Sequence, residues 1–461
     1  MRMKLVARLA AACSLLALAP GMAQAQALSA EEAAALRAEV AALKAQLNAM
    51  ESRLNNIGAQ TEANSTAIAT APKPAPAPEP AETTIKWKGA PELSTKSGWS
   101  FKPRGRIQFD AGYVDAPKLP VAADNEGLGF SSELRRAYLG FQGTMPGGFG
   151  YKAEVDLADN KVEWTDIYLT YDNKGLNVTV GQFYPFLSLE QQTSDLFTSF
   201  VERAAFTSAF GFERRVGVSA GYTMGDLMVN AGAFTDNVKD LTDDKDNSYS
   251  FDGRVVWMPK FGDTQLHLGA SAHWRDLNQL SGPLQYKLRP FVHSADQSYV
   301  DTRSQIGDAT HETNYGLEAA MVSGRLHAAG EANWMRVDRA ASANPTFFGG
   351  YAEVGYFLTG GDTRGYKGGA WDRIKPSKAV GNGGIGAIQL NLRYDYVDLV
   401  DAGIIGGKQN GYEASLVWVP IDYLKFMLNY GHLEYDQART TSDGESSYSA
   451  DVVGARAQLD F

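Results

Sequence analysis

The segment Phe101–Tyr113 reads FKPRGRIQFDAGY, and its side chains alternate between two kinds. Mostly apolar residues occupy one set of alternate positions, whereas charged or amide residues occupy the other. Because successive side chains of a β-strand point to opposite faces of its sheet, this period of two predicts a strand with one apolar and one polar face. The apolar face carries Phe101, Ile107, Phe109, Ala111 and Tyr113, and the polar face carries Lys102, Arg104, Arg106, Gln108 and Asp110.

The same alternation recurs along most of the chain, for example in ELRRAYLGFQG (133–143), YKAEVDLAD (151–159) and GAIQLNLRYDYVDL (386–399). We count about sixteen such strands without a helical segment between them, and their polar faces carry full charges. Residues 99–461 are therefore predicted to form an all-β fold, a transmembrane antiparallel β-barrel of about 16 strands. Tryptophans near the strand ends are expected to form aromatic girdles, namely Trp164, Trp257, Trp274, Trp334, Trp371 and Trp418.

The connections between these strands alternate in length, which is typical of short periplasmic turns and longer extracellular loops. The short turns fall at 145–148, 172–175, 224–226, 259–263, 323–324 and 420–422. The longer loops fall at 115–130, 184–212, 236–248, 276–311, 337–348, 398–408 and 436–448. The segment 361–384 is long where a short turn is due, and the sequence offers no explanation for it.

One of these loops, 184–212, carries too much apolar surface to stay solvated. A long loop without secondary structure usually has a function or is disordered. We predict that it lies between the fifth and sixth strands, folds into the lumen and narrows a pore. Its apolar residues would contact the wall, while its hydroxyl groups and Arg203 would face the solute. Those apolar residues are Phe186, Leu187, Leu189, Leu196, Phe197, Phe200, Val201, Phe206 and Phe210.

The first 27 residues are predicted to be a secretory signal peptide. They combine a basic start, an apolar core too short for a membrane helix, and small residues that allow cleavage after Ala25 or Ala27. The single cysteine, Cys13, lies inside this segment, so the mature chain is expected to contain no disulfide. A lipoprotein attached through Cys13 is the weaker alternative, because almost no apolar core would precede it.

Residues 28–70 are predicted to form a periplasmic coiled-coil helix, and 71–98 a proline-rich linker. The helix has apolar residues at heptad spacing flanked by opposite charges, whereas APKPAPAPEP (71–80) is an extended spacer of roughly 30 Å. A single amphipathic helix packed on its own domain is the alternative, and the number of chains does not follow from these residues. The core positions are Ala33, Val40, Leu47, Leu54, Leu36, Leu43, Met50 and Ile57.

The charge balance excludes some functions. Removal of Arg2, Lys4 and Arg8 with the signal leaves 40 basic against 53 acidic residues, a net charge of −13. An acidic chain without a basic block is a poor nucleic-acid binder, so no nucleic-acid partner is expected. No later segment approaches the roughly 20 consecutive apolar residues of a membrane helix.

By strand parity, seven basic side chains are predicted to point into the lumen, and an eighth lies on the loop. Arginine suits phosphate and carboxylate because its planar fork donates to two oxygens at once. However, carboxylates such as Asp110, Glu154 and Asp395 share these faces, so an arginine can be neutralised and merely stabilise the wall. The eight candidates for channel-lining and solute-binding residues are Lys102, Arg104, Arg106, Arg136, Arg203, Arg215, Arg254 and Arg393.

Four blocks of sequence resemble the phosphate-selective porin O and P family. They are VTVGQFYPFLSLE with FVERAAF (178–206), RRAYLGFQG (135–143), YFLTGGDTRGYKGGAWDRIKP (356–376) and GGKQNGYEASLVWVPIDYLKFMLNYGHLEYD (406–436). The resemblance implies a homotrimeric porin in the bacterial outer membrane, surrounded by lipid, whose third extracellular loop folds into the pore. It also implies a passive channel for small anions such as phosphate, polyphosphate or carboxylates.

Two other readings remain open. An enzyme such as a barrel hydrolase is weakly supported, because the six histidines form no metal-ligand spacing and no serine has a nucleophile context; no cofactor and no metal are expected. The second is a non-selective, cation or neutral-solute porin whose coiled coil mainly tethers the outer membrane to peptidoglycan. The six histidines are His267, His273, His293, His311, His327 and His432.

Overall fold

The computed structural model describes residues 30–70, 83–241, 248–277 and 282–461, and it divides the chain into two compact units, Met1–Glu79 and Pro80–Phe461. The predicted signal peptide and residues 71–82 of the predicted linker lie outside the described residues.

The first unit contains one long helix, α1 (Ala30–Thr70). Six apolar residues at the predicted heptad positions are 50–68% exposed. A single copy of the chain therefore leaves the apolar seam of α1 uncovered. None of the described helices combines the length and hydropathy needed to cross a membrane. The six residues are Val40, Leu43, Leu47, Met50, Leu54 and Ile57.

The second unit is built from antiparallel strands, with two short helices, α2 (Leu189–Gln192) and α3 (Ala205–Ala209), and 3-10 turns at Ala122–Asn125 and Ala158–Asn160. The strands are β1 (Thr84–Lys88), β2 (Ala90–Ser94), β3 (Ser100–Asp115), β4 (Gly129–Met145), β5 (Phe149–Asp156), β6 (Glu163–Asn173), β7 (Leu176–Phe183), β8 (Arg215–Met224), β9 (Leu227–Phe234), β10 (Tyr249–Trp257), β11 (Lys260–Phe261), β12 (Thr264–Asp276), β13 (Lys287–Leu288), β14 (Val300–Asp301), β15 (Ala309–Ser323), β16 (Leu326–Arg339), β17 (Thr346–Phe357), β18 (Gly365–Lys367), β19 (Ala370–Asp372), β20 (Ala387–Asp401), β21 (Ile404–Ile421), β22 (Leu424–Asp436) and β23 (Tyr448–Asp460).

Sixteen of these strands close into a barrel, which confirms the predicted fold class: β3 to β10, β12, β15 to β17 and β20 to β23. Each strand pairs with its neighbour in sequence, and the last strand, β23, pairs with the first, β3. The closing register runs from Asp451 opposite Asp115 to Asp460 opposite Arg106. Phe461 then exchanges two backbone hydrogen bonds with Gly105, at 3.0 and 3.1 Å.

The two faces of the barrel wall differ as the alternation predicts. On β20, Leu390 and Leu392 are 44% and 54% exposed on the outer face, whereas Asn391 between them is fully buried. Trp164, Trp257, Trp334 and Trp418 are likewise exposed. Trp371 is the exception, because only 4% of it is exposed; it does not belong to the outer girdle.

Two predicted connections differ from the structure. The segment 398–408 is almost entirely strand, because β20 and β21 extend until two residues separate them. Within the segment predicted to be a linker, β1 and β2 pair as a hairpin, and β2 continues the pairing onto β3. In β1, Ile85 and Trp87 alternate with lysines, which is the period of two expected of a strand.

Three connections fold inward and determine the shape of the lumen. We call the end of the barrel with short connections, such as 174–175 and 225–226, the turn end, and the opposite end the loop end. From the loop end come 184–214, termed here the constriction loop, and the described parts of the connection 277–308, namely residue 277 and residues 282–308. From the turn end comes 358–386, termed the inner turn. Their apolar residues form one buried cluster with inward-facing residues of the wall.

Candidate functional site

The constriction loop is fastened to the barrel wall through its backbone. Glu331 on β16 accepts hydrogen bonds from the consecutive N–H groups of Leu189 and Glu190, at 3.1 and 2.7 Å. Asp395 on β20 and Asn429 on β22 each accept one further N–H of the loop, both at 2.7 Å. These three buried side chains supply partners for backbone groups that a loop inside a barrel would otherwise leave unpaired. The loop is therefore held at three separate points around the wall.

Apolar packing adds to this attachment, as the sequence predicts. Phe200 and Phe206 are fully buried. The ring of Phe206 stacks on Tyr351 with centroids 6.3 Å apart. Gly349 on the same strand leaves the space that Phe206 occupies, since an added Cβ would lie 2.5 Å from the Phe206 Cβ. Burial of each phenylalanine contributes roughly 1.5–3 kcal/mol.

Most hydroxyl groups of the constriction loop do not face a solute in the way we predicted, although Ser208 is exposed and lines the cavity described below. Thr193, Thr198 and Thr207 are 1–4% exposed and donate to backbone carbonyls of the loop itself. Ser188, also buried, accepts from the N–H of Gln191 and caps α2. Short hydroxyl side chains compete for nearby backbone groups in this way. They stabilise the loop conformation and leave Arg203 as the predicted solute-facing group.

Two of the predicted lumen arginines converge on one carboxylate of the constriction loop. Arg106 on β3 pairs with Asp195, and Arg136 on β4 places its Nε 2.5 Å from the same carboxylate. All three side chains are at least nine-tenths buried. Burial raises the pKa of Asp195, but the two guanidinium groups outweigh it and hold the pKa well below its ordinary value. The arginines are thus in the lumen, with their charge largely compensated.

A second loop carboxylate, Glu202, occupies a similar position. It pairs with Arg135 at 3.0 Å and with Arg456 at 3.1 Å, and Arg456 also forms two bonds to Asp110, at 2.7 and 2.6 Å. Burial raises the pKa of Glu202, but the neighbouring arginines lower it by more, so the pKa lies below its ordinary value. Arg456 was not among the predicted residues, although the alternation of the last strand places it on the inner face.

Arg393 lies in a locally acidic part of the wall. Its guanidinium nitrogens lie 3.3 Å from Glu353, 3.5 Å from Glu190 and 3.5 Å from Glu413. Its centre also lies 4.0 Å from the ring centroid of Phe200. One arginine among three carboxylates leaves this region with an excess of acceptors.

The remaining strand arginines differ from one another. Arg254 forms a two-point pair with Glu318, at 2.6 and 3.1 Å, and donates to the Gly369 carbonyl of the inner turn at 2.8 Å. Arg215 lies 3.8 Å from Glu213, and its NH1 group has no hydrogen-bond partner among the described residues. Arg254 therefore fastens the inner turn to the wall, whereas Arg215 is only weakly compensated.

Three of the eight predicted residues have no carboxylate within ion-pair distance in the described part of the chain. Lys102 donates to the Lys88 carbonyl at 2.7 Å, and Arg104 donates to the Gln142 side chain at 2.5 Å. Arg203 donates to two carbonyls of its own loop, at 3.0 and 2.7 Å. Their acceptors are neutral, and we call these side chains uncompensated in the sense that no carboxylate pairs with them directly. Among the predicted residues, these three contribute most to a positive potential in the lumen.

The inner turn accounts for the long segment 361–384, which the strand pattern leaves unexplained. It enters the barrel from the turn end and contacts the constriction loop: Arg364 donates to the Phe197 carbonyl, and the Trp371 N–H donates to Thr193 Oγ1 at 3.2 Å. The Trp371 ring lies edge-on to His327 on β16, with centroids 5.7 Å apart. The lumen is therefore narrowed from both ends. The length of the inner turn, twenty-nine residues where neighbouring turns have two, was the only signal of this second narrowing in the sequence.

A cavity of about 590 Å³, termed here the vestibule, lies between the constriction loop, the loop 277–308 and the wall. Its size is that of a typical small-molecule site. Side chains of both charges line it: the basic ones are Arg135, Arg136, Arg203, Lys287, Arg289 and His293, and the acidic ones are Glu202, Glu213, Asp296, Asp395 and Glu413.

Comparison with known proteins gives consistent results. A sequence model of the family described as phosphate-selective porin O and P matches residues 101–461. A Caulobacter vibrioides protein of uncharacterised function is 47% identical over 406 residues, which cover 86% of this chain and 81% of the relative.

Among solved structures, the outer-membrane expressed OmpT of Vibrio cholerae has a TM-score of 0.50 at 11% identity, over 80% of this chain and 100% of that chain. An anion-selective porin from Comamonas acidovorans has a TM-score of 0.49 at 13% identity, over 79% and 100% of the two chains. At these identities the first likeness shows the fold alone, and the second is noted only as a similar barrel.

Proposed function

The chain belongs to the phosphate-selective porin O and P family, and on that basis we propose that it forms a passive channel for small hydrophilic solutes that prefers anions such as phosphate, polyphosphate or carboxylates. The porin family and the barrel fold point to a channel in the outer membrane rather than to an enzyme. No covalent chemistry is needed for this function, because solutes move down their own gradients.

The observation that carries the anion preference is the uncompensated charge of Lys102, Arg104 and Arg203. Charged side chains at a constriction set which ions pass. Arg106, Arg136, Arg254 and Arg393 contribute less, because buried carboxylates lie within 3.5 Å of each. Selectivity would therefore come from a subset of the basic side chains that the alternation places inside the barrel.

The alternative is a non-selective channel or one that prefers cations or neutral solutes. The three carboxylates around Arg393 favour it, and so does the chain's overall acidity. The two proposals differ in the sign of the net potential at the narrowest part of the lumen. Both are compatible with the same fold.

We also propose that the chain is a homotrimer in which α1 forms a three-stranded coiled coil in the periplasm and contacts peptidoglycan as a tether. The exposed heptad seam of α1 supports this assembly, since apolar a and d positions are buried when helices pair. The long loops would then be extracellular, and the inner turn would enter from the periplasm.

The decisive experiment is a reversal-potential measurement on the purified full chain in a planar lipid bilayer under a KCl gradient. Anion preference gives a reversal potential displaced toward the equilibrium potential of chloride, and phosphate or a dicarboxylate should lower the chloride current. A displacement toward the potassium equilibrium potential would overturn the anion proposal and favour the alternative. Absence of any ion current would overturn the channel itself.

A further inference from the structure

One wall of the vestibule presents acceptor oxygens that have no hydrogen-bond partner within the described ranges. They are Asp395 Oδ1 on β20 and Gln409 Oε1 and Glu413 Oε2 on β21. The three residues line the vestibule and are only 1%, 2% and 5% exposed. Buried acceptors of this kind are almost always paired in folded proteins, because leaving them unpaired costs free energy. Their arrangement therefore points to a donor that the chain itself does not supply.

The sheet register brings these acceptors together. Val397 lies opposite Gln409, Asp395 opposite Gly411, and Arg393 opposite Glu413. The three side chains thus occupy successive inward positions on two paired strands. Gly411 lies between them and carries no side chain; an added Cβ would lie 3.2 Å from Glu413 Oε1 and 3.5 Å from the Asp395 Cβ. The glycine keeps the space between the two carboxylates open.

Neighbouring cations do not satisfy these oxygens. Arg393 NH1 lies 3.5 Å from Glu413 Oε2, which is an ion pair without a hydrogen bond. Arg203, which also lines the vestibule, instead donates to carbonyls of its own loop. The second oxygen of Asp395 is already used by the N–H of Ala205, at 2.7 Å. One buried acceptor on each of the three side chains therefore remains unpaired within the described part of the chain.

The two loops that line the vestibule carry positive charge as well as the carboxylates named above. Arg203 stands two residues before Ala205 on the constriction loop, next to the point where the loop is tied to Asp395. Lys287, on the other loop, is exposed and also lines the vestibule. Neither side chain has a carboxylate within ion-pair distance among the described residues. The vestibule therefore has unpaired acceptors on its wall and, on its two loops, two cationic side chains that no described carboxylate pairs with.

We propose that the vestibule binds small zwitterionic solutes before they cross the constriction, with a primary ammonium at Asp395, Gln409 and Glu413 and a carboxylate or phosphate at Arg203. A primary ammonium carries three donors, which matches the three free acceptors. A simple anion would meet Arg203 but would leave the acceptors unpaired. This inference names a solute class for the proposed channel and rests on that function.

The test compares three solutes of equal carbon number: 4-aminobutyrate, butyrate and butylammonium. Purified full-length protein is placed in a planar bilayer in KCl, and each solute is added in turn to one side and then to the other. The zwitterion should reduce the KCl current at a concentration about tenfold lower than either of the other two, because only it engages both regions. Calcium ions are tested in the same way to detect a metal site.

Three variants test the acceptor wall: Asp395→Asn, Glu413→Gln and Gln409→Met. Each keeps the size of the side chain, and Gln409→Met removes the amide without changing charge. Each should raise the blocking concentration of 4-aminobutyrate by about tenfold. That of butyrate should stay the same in Gln409→Met and should not rise in the two variants that lose a negative charge. Asp443→Asn, at an exposed carboxylate outside the vestibule, should behave as the unchanged chain. Persistence of the KCl current in each variant shows that the barrel has folded.

The outcomes separate this inference from the proposed function. Equal block by butyrate and 4-aminobutyrate would overturn the zwitterion site while leaving the channel intact. If calcium blocks the unchanged channel and Gln409→Met abolishes this block, the zwitterion site is overturned in favour of a cation site. Loss of all KCl current in the unchanged protein would contradict the channel itself.

Discussion

The Nε atom of Arg136 lies 2.5 Å from a carboxylate oxygen of Asp195, so an arginine that the strand pattern assigns to the pore is paired with the loop that narrows the pore. Arg106 pairs with the same carboxylate. These contacts connect the first two barrel strands to the constriction loop across the lumen. Asp195 therefore both positions the loop and reduces the positive potential around it.

The first prediction concerns this carboxylate. Asp195→Asn removes one negative charge while keeping the size and one acceptor oxygen, so the charges of Arg106 and Arg136 become uncompensated. The reversal potential under a KCl gradient should move toward stronger anion preference. Asp443→Asn, at an exposed carboxylate outside the vestibule, makes the same chemical change and should leave the reversal potential unchanged. An unchanged reversal potential in Asp195→Asn would mean that permeating ions do not sense these two arginines.

The second prediction concerns the uncompensated cations. Combined replacement of Lys102, Arg104 and Arg203 by methionine removes three positive charges that no carboxylate offsets. Anion preference should fall toward non-selectivity, with the ratio of chloride to potassium permeability approaching one. Lys174→Gln, at an exposed short turn, removes a charge outside the lumen and should leave the ratio unchanged. Retention of the full preference in the triple variant would assign selectivity to other residues.

The barrel could be predicted from the sequence because a period of two is a local property. Alternation places Arg393 and Arg456 on the inner face without any knowledge of what lies opposite. The partners of these arginines are not local: Glu190 and Glu202 belong to a loop more than two hundred residues away in the chain. The sequence therefore predicts that these arginines point inward, but not that carboxylates from the loop compensate their charge.

Trp371 illustrates the same limit for the wall itself. A tryptophan near strand ends indicates a girdle when its strand belongs to the barrel, but β19 pairs only with β18 inside the inner turn. Burial of Trp371 at 4% exposure follows from contacts with His327 and the constriction loop, which the sequence does not reveal.

The third prediction concerns the inner turn. Trp371→Ala removes a buried ring between His327 and the constriction loop, which should widen the lumen and raise single-channel conductance in KCl. Loss of this packing should also cost about 3–5 kcal/mol of stability. Trp164→Ala, at a tryptophan 47% exposed on the outer face, is the control and should leave conductance unchanged. Equal conductance in Trp371→Ala would show that the inner turn does not limit the flow of ions.

The fourth prediction concerns pH. Burial raises the pKa of Glu190, and Arg393 only partly opposes it, while Glu353, Glu413 and Asp395 also face this region. A raised pKa means that the folded chain binds a proton at pH values where the unfolded chain has released it, so this contribution to stability falls as pH rises through the folded pKa. Asp195 behaves in the opposite way. Its lowered pKa keeps the carboxylate ionised, and its contribution to stability is lost only as the pH falls well below the ordinary pKa of an aspartate.

Acidification from pH 7 toward 4.5 should therefore protonate Glu190 while Asp195 stays charged, and anion preference should increase. The measurement is the reversal potential across this pH range in the unchanged chain and in Glu190→Gln. The variant should show the increased preference already at pH 7 and a smaller change with pH. A pH response of the same size in both proteins would assign the effect to the other carboxylates around Arg393.

The fifth prediction concerns α1, whose heptad seam is uncovered in a single chain. Leu47→Asp combined with Leu54→Asp places charges at two a positions, where a coiled coil buries its side chains. If three helices pair, chemical cross-linking of the unchanged protein in membranes should give a trimer through α1, and the double variant should lose these cross-links. Asn48→Asp combined with Asn55→Asp, at two exposed b positions on the outer side of the helix, should keep them. Channel conductance should remain in both variants, because α1 and the barrel are separate compact units.

Two outcomes are informative in the double variant of the seam. Trimer cross-links that persist would contradict the coiled coil. Weakened envelope integrity with conductance retained would show that α1 also acts as a tether.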